Sequence, residues 1–243
     1  DILLLPAKPD VVEKVHEYEK KDGWHRIVLE TTNKHLIPLR YFPSEKNVAP
    51  LVLICSDSDK DGKEKVRINE CIQKGYGVVV ADVWGTGELA SSQARATDGR
   101  LPEFHTLARA ELWLGKTIIG EWVSDIDNLV KYVRVNYKTS SVTIDAAREI
   151  AIAALAQSAL NNNTDTCILR TCPLSYALDR REGIDFFNMA IHVPGFLKWG
   201  DISLVAALNK RAELIFKAPV SVTGKKIVGT QLSDYNAKFS KMK

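Results

Sequence analysis

The chain has no apolar run near the roughly 18 residues that a membrane-spanning helix requires, so no membrane partner is expected. It has few cysteines, only Cys55, Cys71, Cys167 and Cys172. No two of these stand in the C-x-x-C spacing of a zinc or thioredoxin-type site. Cys55 and Cys167 fall in apolar runs and read as buried thiols acting as small hydrophobes. A Cys167–Cys172 bridge stays open, though its geometry is demanding. Histidine is also scarce: His16, His25, His35, His105 and His192, with none following His192. No two lie at the i,i+4 spacing of a helical metal site, so no metal is expected, and no cofactor. The chain also has little excess charge. The net charge is +3 over 243 residues, and the basic residues are scattered. Neither a basic face nor a nucleic-acid module is present, so no nucleic-acid partner is expected. There is no internal repeat, low-complexity tract or linker-like segment.

What the chain does have is alternation of strand-like and helix-like stretches. A charged segment, Val11 to Lys20, reads as a short surface helix. Trp24 to Glu30 and His35 to Phe42 read as an antiparallel hairpin around Thr31-Thr32-Asn33-Lys34. Leu51 to Cys55, Tyr76 to Ala81, Val142 to Ile144, Thr166 to Leu169 and Ala212 to Phe216 are continuous apolar runs. Such runs belong to strands covered on both faces. Helices are expected over about 62–74, ended by Gly75, and over 107–114, 121–135 and 148–160. In the third of these, Trp122/Val123, Ile126, Leu129/Val130 and Val133 recur at three and four, so one face is apolar. The fourth is apolar nearly all round and should be buried. Strands alternating with helices predict an α/β protein, a three-layer α/β/α sandwich with a mostly parallel sheet, in one domain over 1–243.

Four motifs carry a resemblance. Asp82-Val-Trp-Gly-Thr-Gly-Glu88 follows the second buried strand. Leu114-Gly-Lys-Thr-Ile-Ile-Gly-Glu-Trp-Val-Ser-Asp125 leads into a helix. Val193-Pro-Gly-Phe-Leu-Lys-Trp-Gly-Asp201 and Ala218-Pro-Val-Ser-Val-Thr-Gly224 come later. Their order and spacing, over about 24–239, resemble the α/β-hydrolase superfamily. More narrowly, they are similar to acetyl xylan esterase-like carbohydrate esterases and prolyl-oligopeptidase-like hydrolases. The resemblance implies an α/β-hydrolase fold and a Ser, Asp/Glu, His triad in that chain order.

All three triad positions depart from that pattern. With Ala154-Leu155 taken as the small-large pair after the nucleophile elbow, the elbow is Ala146-Ala147-Arg148-Glu149-Ile150. The nucleophile slot then holds Arg148; a register one earlier puts Ala147 there. The acid slot, after the last apolar strand, holds Ser221, with no carboxylate from Lys217 to Lys226. No histidine can fill a slot beyond that, so the last strand and loop, which would carry the base, are expected to be missing. A hydroxyl needs a base and the base an orienting acid, and an arginine stays protonated at any accessible pH.

Other signals are weaker. Asp57 to Gly62 matches the first half of an EF-hand loop, but Lys65 and Ile68 stand where its later ligands belong. Gly115-Lys116-Thr117 lacks the glycine and the strand of a phosphate loop. Gly85 and Gly87 read as a tight turn. Trp84, at the carboxyl end of a strand, is the candidate ligand contact, with Arg148 beside it. Trp113 and Trp122 read as core or interface residues.

The leading expectation is therefore a non-catalytic accessory domain. The resemblance to tandem esterases implies that it is a degenerate C-terminal copy following a catalytic esterase domain of the same polypeptide. Two alternatives stand beside it. One is an active carbohydrate esterase with a displaced triad, drawing on Ser56 or Ser221 with His105 or His192. The other is a module that binds plant polysaccharide through Trp84 and Arg148. The chain has no signal-like segment, and its Asp1 start reads as that of an excised piece. A secreted or periplasmic location is implied by the resemblance alone.

Overall fold

A computed structural model of the chain describes residues 3, 5, 10–55, 63–90, 99–177 and 186–229. Among them, strands β1 (Val12–Lys21), β2 (Trp24–Thr31), β3 (Leu36–Phe42), β4 (Ala49–Cys55), β5 (Gly77–Ala81), β6 (Thr139–Ala147), β7 (Thr166–Arg170) and β8 (Glu213–Lys217) form one sheet. Its order is β1-β2-β3-β5-β4-β6-β7-β8. From β1 to β5 the pairings are antiparallel; from β5 across β4, β6 and β7 to β8 they are parallel.

The helices are α1 (Lys63–Gln73), α2 (His105–Trp113), α3 (Ile118–Asn136), α4 (Arg148–Asn161), α5 (Phe196–Trp199) and α6 (Ile202–Leu208). The sheet's larger face packs Leu29, Leu53, Val79, Ile144 and Leu169 against Trp122, Ile126 and Leu129 of α3 and Leu155 of α4. On the other face Val52, Ile54, Val78 and Val80 meet Ile68 and Ile72 of α1. Central strands with a helix layer on each side must be apolar at every position, which is why β4 and β5 read as unbroken runs. The three layers are those expected. The residues of α4 from Glu149 to Ser158 are all buried, as its all-round apolar composition requires.

The expected surface helix over 11–20 is instead strand β1, paired with β2. Its Glu and Lys residues favour a helix locally, but tertiary pairing overrides that preference. Lys14 and His16 reach across to Glu30, and a charged edge strand resists pairing with other chains. The missed signal is Asp22-Gly23, at φ 50° and 81°. An Asp-Gly pair at positive φ makes the hairpin turn whose twist matches the flanking strands.

The four cysteines are free, with Cys55, Cys167 and Cys172 buried. The half EF-hand loop, Ser56, and any strand or loop after Gly229 lie outside the described residues. Thr117 caps α3, its hydroxyl accepting from the Gly120 amide at 3.0 Å, and Lys116 pairs with Glu121 at 2.9 Å. These residues start a helix and balance its first turn. No described helix is long and apolar enough to cross a membrane.

Candidate functional site

β6 delivers its last residue, Ala147, directly to Arg148, the first residue of α4. Arg148 sits at φ 56°, a left-handed conformation that costs an L-residue roughly 1–2 kcal/mol. A strained residue at a sharp turn from the sheet into a buried helix is the backbone of a nucleophile elbow. Of the two positions left open by the sequence, Ala147 and Arg148, it is Arg148 that carries the positive φ.

The Arg148 guanidinium is held from several sides. Its Nη2 donates to the Phe186 carbonyl at 2.5 Å. Its Nε lies 3.4 Å from Oε2 of the buried Glu149. Its Cζ stands 4.8 Å from the Phe186 ring centroid and 5.5 Å from that of Phe187. Glu149 Oε1 in turn accepts from the Asn188 amide at 2.6 Å. Two neighbouring residues of the elbow thus bind three consecutive residues of the insert between β7 and β8. Arginine suits this place because its fixed fork donates while its flat face stacks on rings.

The acid slot closes onto the same aromatics. Phe187, Val220 and Val222 form a small buried cluster with Phe186 packed on it. Gly224, at φ +82°, lies so close to Phe186 that a Cβ there would fall 2.3 Å from the ring. Ser221 turns inward on its own loop. Its hydroxyl lies 2.7 Å from Thr223 Oγ1 and accepts from the Lys225 amide at 3.2 Å. The ends of β6 and β8 are therefore joined through Phe186 and Phe187, where a hydrolase keeps its acid, base and nucleophile within reach of one another.

The histidines do not assemble with a hydroxyl among the described residues. His192 is exposed. His105 starts α2, and its Nδ1 is buried without a hydrogen-bond partner. His16 pairs with Glu30 at 2.9 Å, and His35 Nδ1 lies 3.5 Å from Glu121. No described group of three or more His, Cys, Asp or Glu residues is placed to hold a metal ion.

Trp84 is held from several sides. Its ring stacks on His35 at 4.7 Å and 6°. Its amide donates to Asp125 at 2.8 Å, and its carbonyl accepts from Trp122 Nε1 at 2.8 Å. Trp122 is fully buried and Trp113 is 79% exposed, so the two helical tryptophans differ in role. Gly85 and Gly87 form the tight turn expected after Trp84. The Asp82 carboxyl lies directly beneath Gly87 and accepts from the Glu88 amide at 2.9 Å.

Sequence reasoning missed one buried ionic group near the elbow. Asp145 of β6, 3% exposed, accepts a forked pair from Arg170 at 2.6 and 2.7 Å and a third bond from Arg67 of α1 at 2.8 Å. One carboxylate so ties α1, β6 and β7 together. Its side chain points to the α1 face, away from the elbow cluster. The signal was a lone Asp in an apolar strand, since a buried charge requires a partner.

No family model matches the chain, and no curated protein matches it. Solved structures do. An acetyl xylan esterase candidate from Bacteroides fragilis superposes with a TM-score of 0.70 at 15% identity, covering 99% of this chain and 68% of that one. A glucuronoyl esterase from Solibacter usitatus gives 0.59 at 13%, covering 98% and 74%. An acetyl xylan esterase from a Paenibacillus species gives 0.57 at 10%, covering 95% and 88%. At these identities the likeness is one of fold, and the fold is that of the α/β hydrolases.

Proposed function

We propose that this chain is a non-catalytic α/β-hydrolase-like domain that accompanies a catalytic esterase domain of the same polypeptide and stabilises or shapes it. The observation that carries the reading is Arg148. It occupies the elbow in the strained conformation of a nucleophile, yet its guanidinium is committed to Phe186, Phe187 and Glu149. A protonated guanidinium cannot attack an ester. The backbone of a hydrolase is kept while the side chains that would cut are replaced by ones that pack. The setting that fits is a secreted or periplasmic polysaccharide esterase.

The test is ester turnover by the chain alone. No hydrolysis of p-nitrophenyl acetate or acetylated xylo-oligosaccharides is expected, and no adduct with a serine-directed fluorophosphonate. Arg148→Ser should remain inactive, because no imidazole stands by to take the hydroxyl proton. Turnover that tracks the chain through purification and is lost on substituting Ser221, His105 or His192 would instead favour the displaced-triad reading. Glycan binding through Trp84 and Arg148 is a weaker reading, since both side chains already have partners.

A further inference from the structure

On the α1 side of the sheet, the antiparallel half presents a row of side chains in register. Tyr18 of β1 faces Arg26 of β2, Arg26 faces Arg40 of β3, and Arg40 faces Val80 of β5. Directly opposed residues on an antiparallel pair hold their Cβ atoms about 4.5–5.5 Å apart, and like charges so placed repel. Both arginines are exposed. Among the described residues neither has an ion pair or a side-chain hydrogen bond. Arg40 only overhangs Trp24, with Cζ 5.8 Å from the ring centroid.

The contrast lies two positions further along the same face. Glu30 draws in His16 at 2.9 Å, Lys34 at 3.1 Å and Lys14 at 3.8 Å. Bonds from His16 and then Lys34 hold its carboxyl down to about 2. Cations on this sheet face are thus gathered around a carboxylate where one exists. The two arginines face each other, and no described carboxylate lies within ion-pair distance of either; Asp82 attracts Arg40 from further away.

They line a cavity of about 160 Å³ together with the apolar Val28, Pro38 and Val80 and the carboxylates of Asp82 and Glu88. Asp82 accepts from its own turn, and burial pushes its carboxyl above the usual range against the opposing pull of that bond and of Arg40. The Glu88 side chain stands on the rim, exposed. Tyr18, 56% exposed, closes the other side. The volume is below the roughly 300–1,000 Å³ of sites for drug-sized ligands, which suits a single ring.

The geometry points to a second ligand site here, for a small polyhydroxylated carboxylate of the uronic acid type. The paired guanidinium groups take the carboxylate, as planar forks do. The exposed Glu88 accepts from ring hydroxyls and disfavours ligands that are only anionic. The apolar lining and the Tyr18 ring take the carbon face of the sugar. This site is independent of the elbow and of any ester chemistry.

The experiment is calorimetric and NMR titration of the chain with glucuronate, with glucose and sulfate as comparison probes. Glucuronate should bind more tightly than either, and should raise the Tm. R26Q and R40Q should each weaken glucuronate at least tenfold while leaving the circular dichroism spectrum unchanged. Glu88→Gln should narrow the preference for glucuronate over sulfate. No shift at millimolar glucuronate, equal binding of sulfate, or undiminished binding by a well-folded R26Q/R40Q double variant would each overturn the proposal.

Discussion

Arg148 and the pair Arg26 and Arg40 are the same side chain in opposite situations. Arg148 sits on a strained backbone and is held by a carbonyl, two aromatic faces and a buried carboxylate. Arg26 and Arg40 sit on relaxed strands, facing each other, with no carboxylate in contact. At the end of β6 the protein satisfies a cation with partners of its own, which under the proposed function takes the place of a reaction centre. On the sheet face two cations stand without an ion pair among the described residues, which is where the proposed ligand site lies. Satisfaction by partners inside the chain is therefore the physical difference between a site that has closed and one that is still open.

Substitutions can break that comparison, and the largest effect is expected where a buried carboxylate is removed from half-buried cations. Asp145→Ala strands Arg67 and Arg170 and should cost about 3 kcal/mol or more, read by chemical denaturation. Arg148→Ala removes a charged hydrogen bond and two ring contacts, and should cost about 2 kcal/mol. Arg148→Gly loses the same contacts but tolerates the positive φ, so it should be less destabilised than the alanine variant. Equal losses would mean that the elbow backbone is not strained.

An intermediate effect should appear as pH dependence. Burial pushes the Asp125 carboxyl from its ordinary 3.8 up to about 7. The folded chain holds this proton where the unfolded chain has released it. The group's stabilising contribution is thus complete below the ordinary value and lost as pH rises through about 7. Asp125→Asn keeps an oxygen for the Trp84 amide and cannot ionise. Denaturation midpoints of wild type and variant should therefore diverge in the variant's favour as pH rises over that window. The smallest effect is on the open site. Arg26→Gln relieves like-charge opposition and should stabilise the unliganded chain by about 0.5 kcal/mol or less, an effect that vanishes at high salt.

Much of the sheet was legible in advance because its cause is local. Apolar runs such as Leu51 to Cys55 require cover on both faces wherever they occur. The all-round apolar helix after Val142 to Ile144 likewise announces a buried element following a buried strand. β1 was not legible by composition, since VEKVHEYEKK carries helix-favouring residues and no apolar face. Its strand state comes from Glu30 and Leu29 across the ladder. Of the candidate site, Arg148 in the elbow could be read from spacing. What engages it could not, because Phe186 lies 38 residues on in a stretch with no motif pointing back. Trp84 was legible as a strand-end aromatic, but its stacking partner His35 comes from the connection between β2 and β3.

Residue chemistry alone was enough for the alternation of strands and helices after Trp24, the buried centre of the sheet and the arginine at position 148 between β6 and α4. Each follows from side-chain chemistry within a few neighbouring residues. Only the tertiary structure decided which arginines are spoken for, how Phe186 and Phe187 weld two strand ends together, and that Arg26 and Arg40 stand face to face. Those outcomes depend on register and on chain crossings between distant segments. A charged side chain's fate is set by what the fold brings within a few ångströms of it, not by its neighbours in sequence.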